Sequence, residues 1–281
     1  HNDELVFQDP LVPQASSNKG STQMGSGVTS VTVTLANAIS QTRAFPIFTY
    51  TADQTDTGQF LVEGKLTSPT TLVFTRQNSG SIVNIEYAVP SFTGNISVQN
   101  GTFENLDPVD TNVAITSVNL SKSFAYSTIR KSDTVWASIH TLSSNITTST
   151  NLHLKTGVFD LNGIAWYVVQ INNTEVLDCS IVAMNPSTVN KTYVLQRQVA
   201  LNKSFIMTSW VAGPDQFPNV AGYFINFTNN QTVYFQRNGT GGTDENNMIC
   251  RVIEFQDNTF IQHYNVNFNG DKLGVLFNKP W

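Results

Sequence analysis

Charged side chains are scarce in this sequence, which excludes one class of partner. Asp, Glu, Lys and Arg make up 12% of its 281 residues, about half the share that is usual for a soluble protein. The 15 basic residues are scattered singly, and the formal net charge is −5. Because binding to a phosphate backbone needs clustered Lys and Arg, we expect no nucleic-acid partner. Abundant Asn, Ser and Thr must supply solubility, a composition typical of many surface and virion proteins and of some ordinary secreted ones.

Long apolar runs are lacking as well. No stretch approaches the roughly 18 apolar residues that suggest a spanning helix, so the sequence predicts no membrane span. The hydrophobic share of 40% is nevertheless enough to build a core. The chain starts at His1 rather than at Met, which favours a processed, extracellular chain whose signal peptide has been removed. Trimming of the chain would give the same start.

Cysteine is nearly absent, with Cys179 and Cys250 as the two examples. Disulfide-rich scaffolds carry many more cysteines in a shorter chain, so that class is excluded. Two alternatives remain open at this stage. The two residues form a single disulfide in an oxidising compartment, or they are two buried free thiols.

Catalytic motifs are also lacking. The sequence has no G-x-S-x-G, H-E-x-x-H or P-loop motif, and its four histidines have no metal-ligand spacing. Glu86 and Glu254 could supply a glycosidase carboxylate pair, but they occupy non-equivalent places in the repeat described below. The acidic runs 53–56 and 244–245 lack a complete calcium-ligand series. We therefore expect a protein that is not an enzyme, with no catalytic residues, cofactor or metal.

What the sequence does contain is short runs in which apolar and polar residues alternate, such as 30–35 and 232–236. These runs are rich in β-branched and aromatic residues and are typical of strands. We find no capped helical stretch of twelve residues, so the pattern predicts an all-β fold. The first 27 residues differ: 4–12 hold a short apolar patch, and 16–27 are interpreted as a Ser/Gly-rich linker.

The sequence also repeats itself with a period of about 80 residues. A triplet that begins with a basic residue ends at Phe45, Phe124 and Phe205, which are spaced by 79 and 81 residues. Three further sets of positions keep this period. They are Ile39, Val118 and Val199; the pairs Leu72 and Phe74, Leu152 and Leu154, Val233 and Phe235; and the blocks 83–87, 164–168 and 248–252. We interpret the matched positions as core positions that keep their size while their identity drifts.

The period predicts three tandem β-sandwich (Ig-like) modules of about 80 residues, preceded by an extended N-terminal segment. The predicted divisions are 1–27, 28–108, 109–188 and 189–281. Because the period is too long for solenoid coils, we expect separate beads rather than one continuous core. The basic residue two positions before each Phe is interpreted as a solvated strand end, with ligand binding as the alternative.

One of these triplets lies in a longer motif that carries a resemblance. The motif is V-N-L-S-K-S-F at 118–124, and L-T-S at 66–68, Thr71 with Leu72, and the segment 96–101 accompany it. Over residues 28–281 the chain resembles tandem β-module repeats of phage tail and microbial extracellular appendage proteins. The first repeat departs from the motif at Arg43 and Ala44, and the third keeps little of the 96–101 segment. The resemblance implies a self-associating structural role, in a virion or in a cell-surface filament.

Asn-x-Ser/Thr sequons are in modest excess over chance and predict N-linked glycans if the source glycosylates. The ten candidates are Asn95, Asn100, Asn119, Asn145, Asn172, Asn190, Asn202, Asn226, Asn230 and Asn238.

The N-terminal segment suggests a subunit contact. Leu5, Phe7 and Leu11 fall on one phase of an extended strand, and with Val6 they could add a strand to the sheet edge of a neighbouring copy. The alternative is a disordered tail. The apolar run 273–277 near the C-terminus either closes the third module or reaches a partner.

These features favour a structural, self-assembling subunit of an extracellular filament, pilus-like appendage or virion tail structure, with copies of itself as partner. Few charges allow like subunits to pack without repulsion. The alternative is a carbohydrate-binding adhesin module on a cell or virion surface, in which Trp136, Trp210 or Trp281 stack on sugar rings. A glycan-processing enzyme is a third and weaker hypothesis.

Overall fold

A computed structural model describes residues 15–52, 56–92, 94–106, 110–132, 141–156, 161–184, 187–211, 223–237 and 246–257. Nearly all of these residues are in strands or in the turns between them, so the all-β prediction is confirmed. The strands fall into three sets. The first set is β1 (Ala15–Met24), β2 (Ser30–Thr34), β3 (Ile47–Ala52), β4 (Glu63–Ser68), β5 (Thr71–Thr75) and β6 (Val83–Phe92). The second set is β7 (Ile96–Leu106), β8 (Asp110–Ala114), β9 (Ser123–Arg130), β10 (Leu142–Thr148), β11 (Asn151–Thr156) and β12 (Leu161–Ile171).

The third set repeats the same order with its first strand split in two. It is β13 (Thr174–Asp178), β14 (Ile181–Met184), β15 (Asn190–Val194), β16 (Ser204–Val211), β17 (Tyr223–Asn229), β18 (Thr232–Arg237) and β19 (Asn246–Phe255). The described helical structure is short: α1 (Thr57–Phe60) and two 3-10 turns, Leu120–Lys122 and Leu201–Lys203.

Each set forms two antiparallel sheets. The sheet that contains the first strand of a set, here called its long sheet, has the orders β1-β6-β3 and β7-β12-β9, and in the third set β19 pairs with β16 on one side and with β13 and β14 on the other. The second sheet, here called the short sheet, has the orders β2-β5-β4, β8-β11-β10 and β15-β18-β17. Strand order is therefore the same three times along the chain.

A hairpin with a two-residue turn fixes each short sheet. The turns are Pro69 with Thr70, Ser149 with Thr150, and Asn230 with Gln231, and a register shift precedes each of them. Their carbonyls accept hydrogen bonds of 2.8–3.0 Å from the amides of two buried residues in the loop after the second strand. These residues are Leu35 and Ile39, Ile115 and Val118, and Leu195 and Val199. The repeated aliphatic residues at 39, 118 and 199 therefore tie this loop to the hairpin.

The central strand of each short sheet buries two side chains completely. Leu72 and Phe74 in β5, Leu152 and Leu154 in β11, and Val233 and Phe235 in β18 all have no exposed surface. Each pair belongs to an apolar cluster that also includes residues of the long sheet in the same set. At about 1.5–3 kcal/mol for each fully buried large apolar side chain, these positions are a main source of stability.

The linker predicted for 16–27 is wrong over most of its length. β1 occupies Ala15–Met24 and pairs with β6 from Ala15 opposite Phe92 to Met24 opposite Val83. Its run of Ser, Asn and Gly hides the alternation by which the other strands were predicted. A Cβ atom at Gly20 would lie 2.7 Å from the hydroxyl oxygen of Tyr87, so a larger residue here would displace the tyrosine ring.

Strand pairing also crosses the predicted divisions. β7 precedes residue 108 but pairs with β12, and β13 precedes residue 188 but pairs with β19. Pairing therefore groups 15–92, 96–171 and 174–255, and each predicted division separates a first strand from its own sheet.

The sequence alignment of the third repeated block is wrong by two residues in the first set. Pairing with β3, β9 and β16 makes Ile85 equivalent to Ile164 and Met248, whereas the sequence comparison matched Val83 to them. A shift of two residues keeps every side chain on the same face of a strand, so apolar alternation could not detect it.

Candidate assembly interface

The three landmark phenylalanines meet in one apolar cluster. The ring centroids of Phe45 and Phe124 lie 6.1 Å apart, and those of Phe124 and Phe205 lie 5.9 Å apart. Both pairs are nearly perpendicular, with interplanar angles of 78° and 87°, a geometry that aromatic quadrupoles favour. The prediction of separate beads is therefore wrong, because the triplets mark a core that all three sets share rather than three private cores.

The outer faces of the three long sheets build this shared core. Ile47, Tyr126 and Met207 follow the landmark phenylalanines by two residues and lie in the same cluster. Further members are Phe92, Ile96, Val98, Ala165, Tyr167, Val169, Ile171, Val176, Ile253 and Phe255. Each long sheet thus has one face in the core of its own set and contributes residues of its other face to the shared core.

A hydroxyl group from the following set caps the outer edge of each of the first two short sheets. The Gly64 amide of β4 donates to Thr128 Oγ1 of β9 at 3.1 Å. The Ser144 amide of β10 donates to Ser209 Oγ of β16 at 2.9 Å. These are the same contact, because Gly64 and Ser144 face Phe74 and Leu154 at equivalent places in their hairpins. Unpaired amides on an edge strand are templates for further pairing, and here a neighbouring set satisfies them.

The central strand of the following long sheet also contacts these edges. Tyr167 of β12 donates through its hydroxyl to the Gly64 carbonyl at 3.3 Å and accepts from the Leu66 amide at 3.4 Å. At the equivalent position of β19, Arg251 Nη2 donates to Asn145 Oδ1 of β10 at 2.9 Å. Burial raises the pKa of the Tyr167 phenol, so the group stays protonated and can both donate and accept.

Tyr126 joins the first two sets in a similar way. Its hydroxyl donates to the carbonyl of Pro46, and its ring stacks on that of Tyr167 with centroids 5.0 Å apart. Burial raises the pKa of Tyr126 well above its usual value, and the neighbouring phenol of Tyr167 raises it further.

An ion cluster reinforces the contact between the first two sets. The carboxylate of Glu63 is almost fully buried, and its Oε2 accepts from Arg130 Nε at 3.0 Å. Arg130 also donates to Glu104 and, at 2.5 Å, to Gln77 Oε1. Gly163 leaves the space for this pair, since a Cβ atom there would overlap Glu63 and Arg130. Removing one partner of a buried pair usually costs about 3–5 kcal/mol because it strands the other charge.

The basic residues of the second and third triplets are structural. Lys122 Nζ donates to the Thr174 carbonyl at 2.7 Å, and Lys203 Nζ donates to the Asp257 carbonyl at 2.5 Å. The serine that follows each lysine is buried and donates to the carbonyl four residues back, at 2.7 Å for Ser123 and 2.8 Å for Ser204. The lysine and serine of the repeated triplet thus fix the turn before the landmark strand and bind the end of a long sheet.

Comparison with known proteins adds nothing to this geometry. No protein-family model, no curated protein and no solved structure matches the chain.

The short sheet of the third set has no such cover from the described residues. Phe224 of β17 is 44% exposed, whereas the equivalent Glu63 and Ser143 are 1% and 7% exposed. Among the described strands, β17 packs extensively only against β18. Within the described residues, the contact that covers the first two edges thus has no counterpart at the third.

A cleft lies between the second and third sets. Its volume is about 340 Å3, and it is lined by Phe124, Ile146, Asp178 and Arg251, among others. Arg251 forms an ion pair with Asp178 at its wall. Both apolar and polar groups therefore face a space large enough for a small ligand.

A disulfide joins Cys179 to Cys250, with their Cα atoms 4.8 Å apart. The bond links the first strand of the third set to the central strand of its long sheet. The first two sets fill this place with Gly20 beside Tyr87 and with Gly101 beside Trp166. At this position the first two sets thus pack a glycine against an aromatic ring, and the third set has a disulfide bond instead.

The sequons differ in exposure. The asparagines at 95, 100, 119, 172, 190, 202 and 230 are exposed, and those at 145 and 226 are half-buried. Asn238 lies outside the described residues, as do the predicted strand donors Leu5, Val6, Phe7 and Leu11 and the tryptophans Trp136 and Trp281.

Two further features concern metal ligands and membrane-spanning helices. Within the described ranges, His, Cys, Asp and Glu residues form no group of three or more that could hold a metal ion. No helix in that part of the chain is long and apolar enough to cross a membrane.

The sequence alone does not assign an interface role to the residues that contact one another between sets. Thr128 and Ser209 carried a usable signal, because Thr49 completes a hydroxyl series on the same period. Glu63 and Arg130 carried none, since neither recurs in the other sets.

Proposed function

We propose that this chain is a structural, self-assembling subunit of an extracellular assembly, such as a filament, a pilus-like appendage or a virion tail structure. The observation that carries the proposal is the interface used twice, between the first and second sets and again between the second and third. A contact that recurs between equivalent surfaces of one chain is suited to recur between chains.

The proposed units are three immunoglobulin-like β-sandwich modules spanning 15–92, 96–171 and 174–255. Supporting this division, the long and short sheets of one set contribute side chains to a common cluster, as Ile85 and Phe74 do in the first. Two sheets on one core are the defining feature of a sandwich. The modules are joined through the shared core rather than by flexible linkers.

Two features favour an extracellular location. The disulfide between Cys179 and Cys250 persists best in oxidising compartments. Seven of the sequon asparagines are exposed and so are accessible to glycosylation. We propose N-linked glycans at these positions if the source glycosylates.

Strand donation by the N-terminal segment is proposed as an additional link between copies. Leu5, Val6, Phe7 and Leu11 would add to a sheet edge of a neighbouring subunit. The segment precedes β1, whose first residue Ala15 pairs with Phe92. Deletion of residues 1–14 tests this link: unchanged assembly of the shortened chain would contradict it.

The structural role is tested by sedimentation velocity over a wide concentration range, with negative-stain imaging of the concentrated sample. We expect concentration-dependent species larger than one chain, and regular fibres or tubes. A single monomeric species at every concentration would contradict the proposal.

A carbohydrate-binding adhesin is the second candidate, and the cleft between the second and third sets is the observation that favours it. Asn145, Asp178 and Arg251 supply the planar polar groups that hydrogen-bond sugar hydroxyls. A glycan array probed with the wild type and with Arg251→Ala tests this. Glycan binding by a monomeric wild type that the substitution abolishes would favour the adhesin over the structural subunit.

A further inference from the structure

The contact between successive strand sets has two halves, and the described chain contains one unused copy of each. The first half is the outer edge of a short sheet, which β4 and β10 present at Gly64 and Ser144. The second half is a hydroxyl on the outer face of the next long sheet, which Thr128 and Ser209 supply. By the register of the hairpins, the unused first half is β17 at Ile225, which faces Phe235 as Gly64 faces Phe74. The unused second half is β3, where Thr49 is equivalent to Thr128 and Ser209.

Both unused halves keep the groups that the contact needs. The hydroxyl of Thr49 has no hydrogen-bond partner among the described residues, although the side chain is half-buried. The amide of Ile225 points away from β18, since Gly64 and Ser144 at the same register direct theirs to another set. One half thus offers an acceptor and the other a donor.

The side chains beside these groups differ from those of the first contact. Phe224 is larger than Glu63, its equivalent in the first set. Glu63 lies against Arg130, and the equivalent of Arg130 on the unused half is the smaller Thr51. Relative to the first contact, β17 has thus gained volume and β3 has lost it at the facing position, and close packing of an interface requires such a match.

We propose that β17 of one copy docks against the β3 and β6 face of a second copy, and so repeats between chains the contact that joins the sets within one chain. The two halves of a single chain do not meet, because β3 and β17 do not pack together in this structure. The contact joins unlike surfaces head to tail, and such contacts generate either closed rings or helical filaments. This inference rests on the proposed structural function and names its contact surfaces.

Two substitutions test the proposal, and each of them blocks one half of the contact. Phe224→Glu puts a carboxylate on the docking edge, and Thr49→Arg puts a long cation on the opposite half. Val194→Glu is the matched control, because Val194 is 66% exposed on β15, the other edge of the same short sheet. Circular dichroism and thermal unfolding establish that each variant folds as the wild type does.

Sedimentation velocity then measures association. We expect Phe224→Glu and Thr49→Arg each to lower the association constant by about a hundredfold, and Val194→Glu to leave it unchanged. An equimolar mixture of the two blocked variants should form dimers and nothing larger, because the mixture contains one intact pair of halves. A mixture that stays monomeric would overturn the head-to-tail contact.

Other outcomes separate this inference from the proposed function. If Phe224→Glu assembles as the wild type does but deletion of residues 1–14 prevents assembly, the N-terminal segment makes the contact and this inference falls while the structural function stands. If the wild type never associates, both fall. An N-linked glycan at Asn226 of assembled protein, on the docking strand itself, would also overturn the inference.

A compensating variant adds a positive test. Thr51 occupies the place of Arg130 and Asn84 that of Gly163. Phe224→Glu combined with Thr51→Arg and Asn84→Gly should therefore recreate between chains the ion pair that Glu63 forms with Arg130. We expect association to recover at least tenfold over Phe224→Glu alone, and no recovery would contradict the assigned register.

Discussion

The ring of Phe124 packs edge-on against the ring of Phe45, 79 residues earlier in the chain, with their centroids 6.1 Å apart. The two residues are equivalent landmarks of the repeat, yet they touch each other rather than lying in separate cores. Together with Phe205 they join three strand sets into one body, and the interface geometry that follows is used twice.

Removal of the central ring should therefore affect the whole chain. Phe124→Ala leaves a cavity between Phe45 and Phe205, and large-to-small changes of this kind cost about 3–5 kcal/mol. We expect chemical denaturation to show that loss in the free energy of unfolding. Leu120→Ala, at a residue that is 47% exposed, is the control and should change it by less than about 0.5 kcal/mol. Equal effects of the two substitutions would contradict a shared core.

The hydroxyl that caps the β4 edge should contribute measurably. Thr128→Val keeps the shape of the side chain but leaves the Gly64 amide without its acceptor, which should cost about 1–3 kcal/mol. Thr128→Ser keeps the hydroxyl and should cost less. If valine proves as stable as serine in equilibrium unfolding, the hydrogen bond does not hold this edge.

The disulfide should stabilise the third strand set. Cys179 and Cys250 are 71 residues apart, and closing a loop of that size typically contributes about 2–4 kcal/mol. We expect a lower thermal midpoint for Cys179→Ala with Cys250→Ala, and no change in that variant when reductant is added. A wild-type midpoint that reductant does not lower would contradict a stabilising bond.

Alkaline pH should unfold the protein through its buried phenols. Burial raises the pKa of Tyr50 to about 12 and also raises the pKa of Tyr126 and of Tyr167. Each folded-state pKa exceeds the unfolded value of about 10, so the folded state holds these protons more tightly. Their stabilising contribution is complete below about pH 10 and is lost as the pH rises through the folded values.

Phenolate absorbance and circular dichroism, followed together from neutral pH upward, measure this effect. We expect a late fraction of the phenolate signal to appear only as the strands unfold. Tyr167→Phe should make stability fall less steeply above about pH 10. Complete ionisation of all eight tyrosines in a protein with unchanged strand content would contradict burial of these groups.

The sequence predicts part of this architecture for physical reasons that differ from residue to residue. Leu72 and Phe74 can be identified as core residues because the apolar–polar alternation of their strand and the 80-residue period both point to them. β1 escaped prediction, since a strand of Ser, Asn and Gly that covers a tyrosine ring has no apolar alternation. The period alone could not distinguish Phe74, which lies in the core of one set, from Phe45, which lies between sets, because both kinds of burial preserve an apolar residue.

The sequence predicts even less of the candidate interface. Thr128 and Ser209 look like ordinary polar strand residues until the hairpin register shows which amides they face. Glu63 with Arg130 is specific to one contact and leaves no periodic trace. The exposure of Phe224 indicates an unfilled contact only when it is compared with the burial of its equivalents, Glu63 and Ser143.

Electron cryomicroscopy of the assembled protein would show the contact between copies itself. We expect β17 of each copy to lie on β3 and β6 of the next. The Ile225 amide should then be as close to the Thr49 hydroxyl as the 3.1 and 2.9 Å seen for Gly64 with Thr128 and Ser144 with Ser209. Assemblies in which β17 faces solvent, or in which like surfaces of two copies meet, would contradict it.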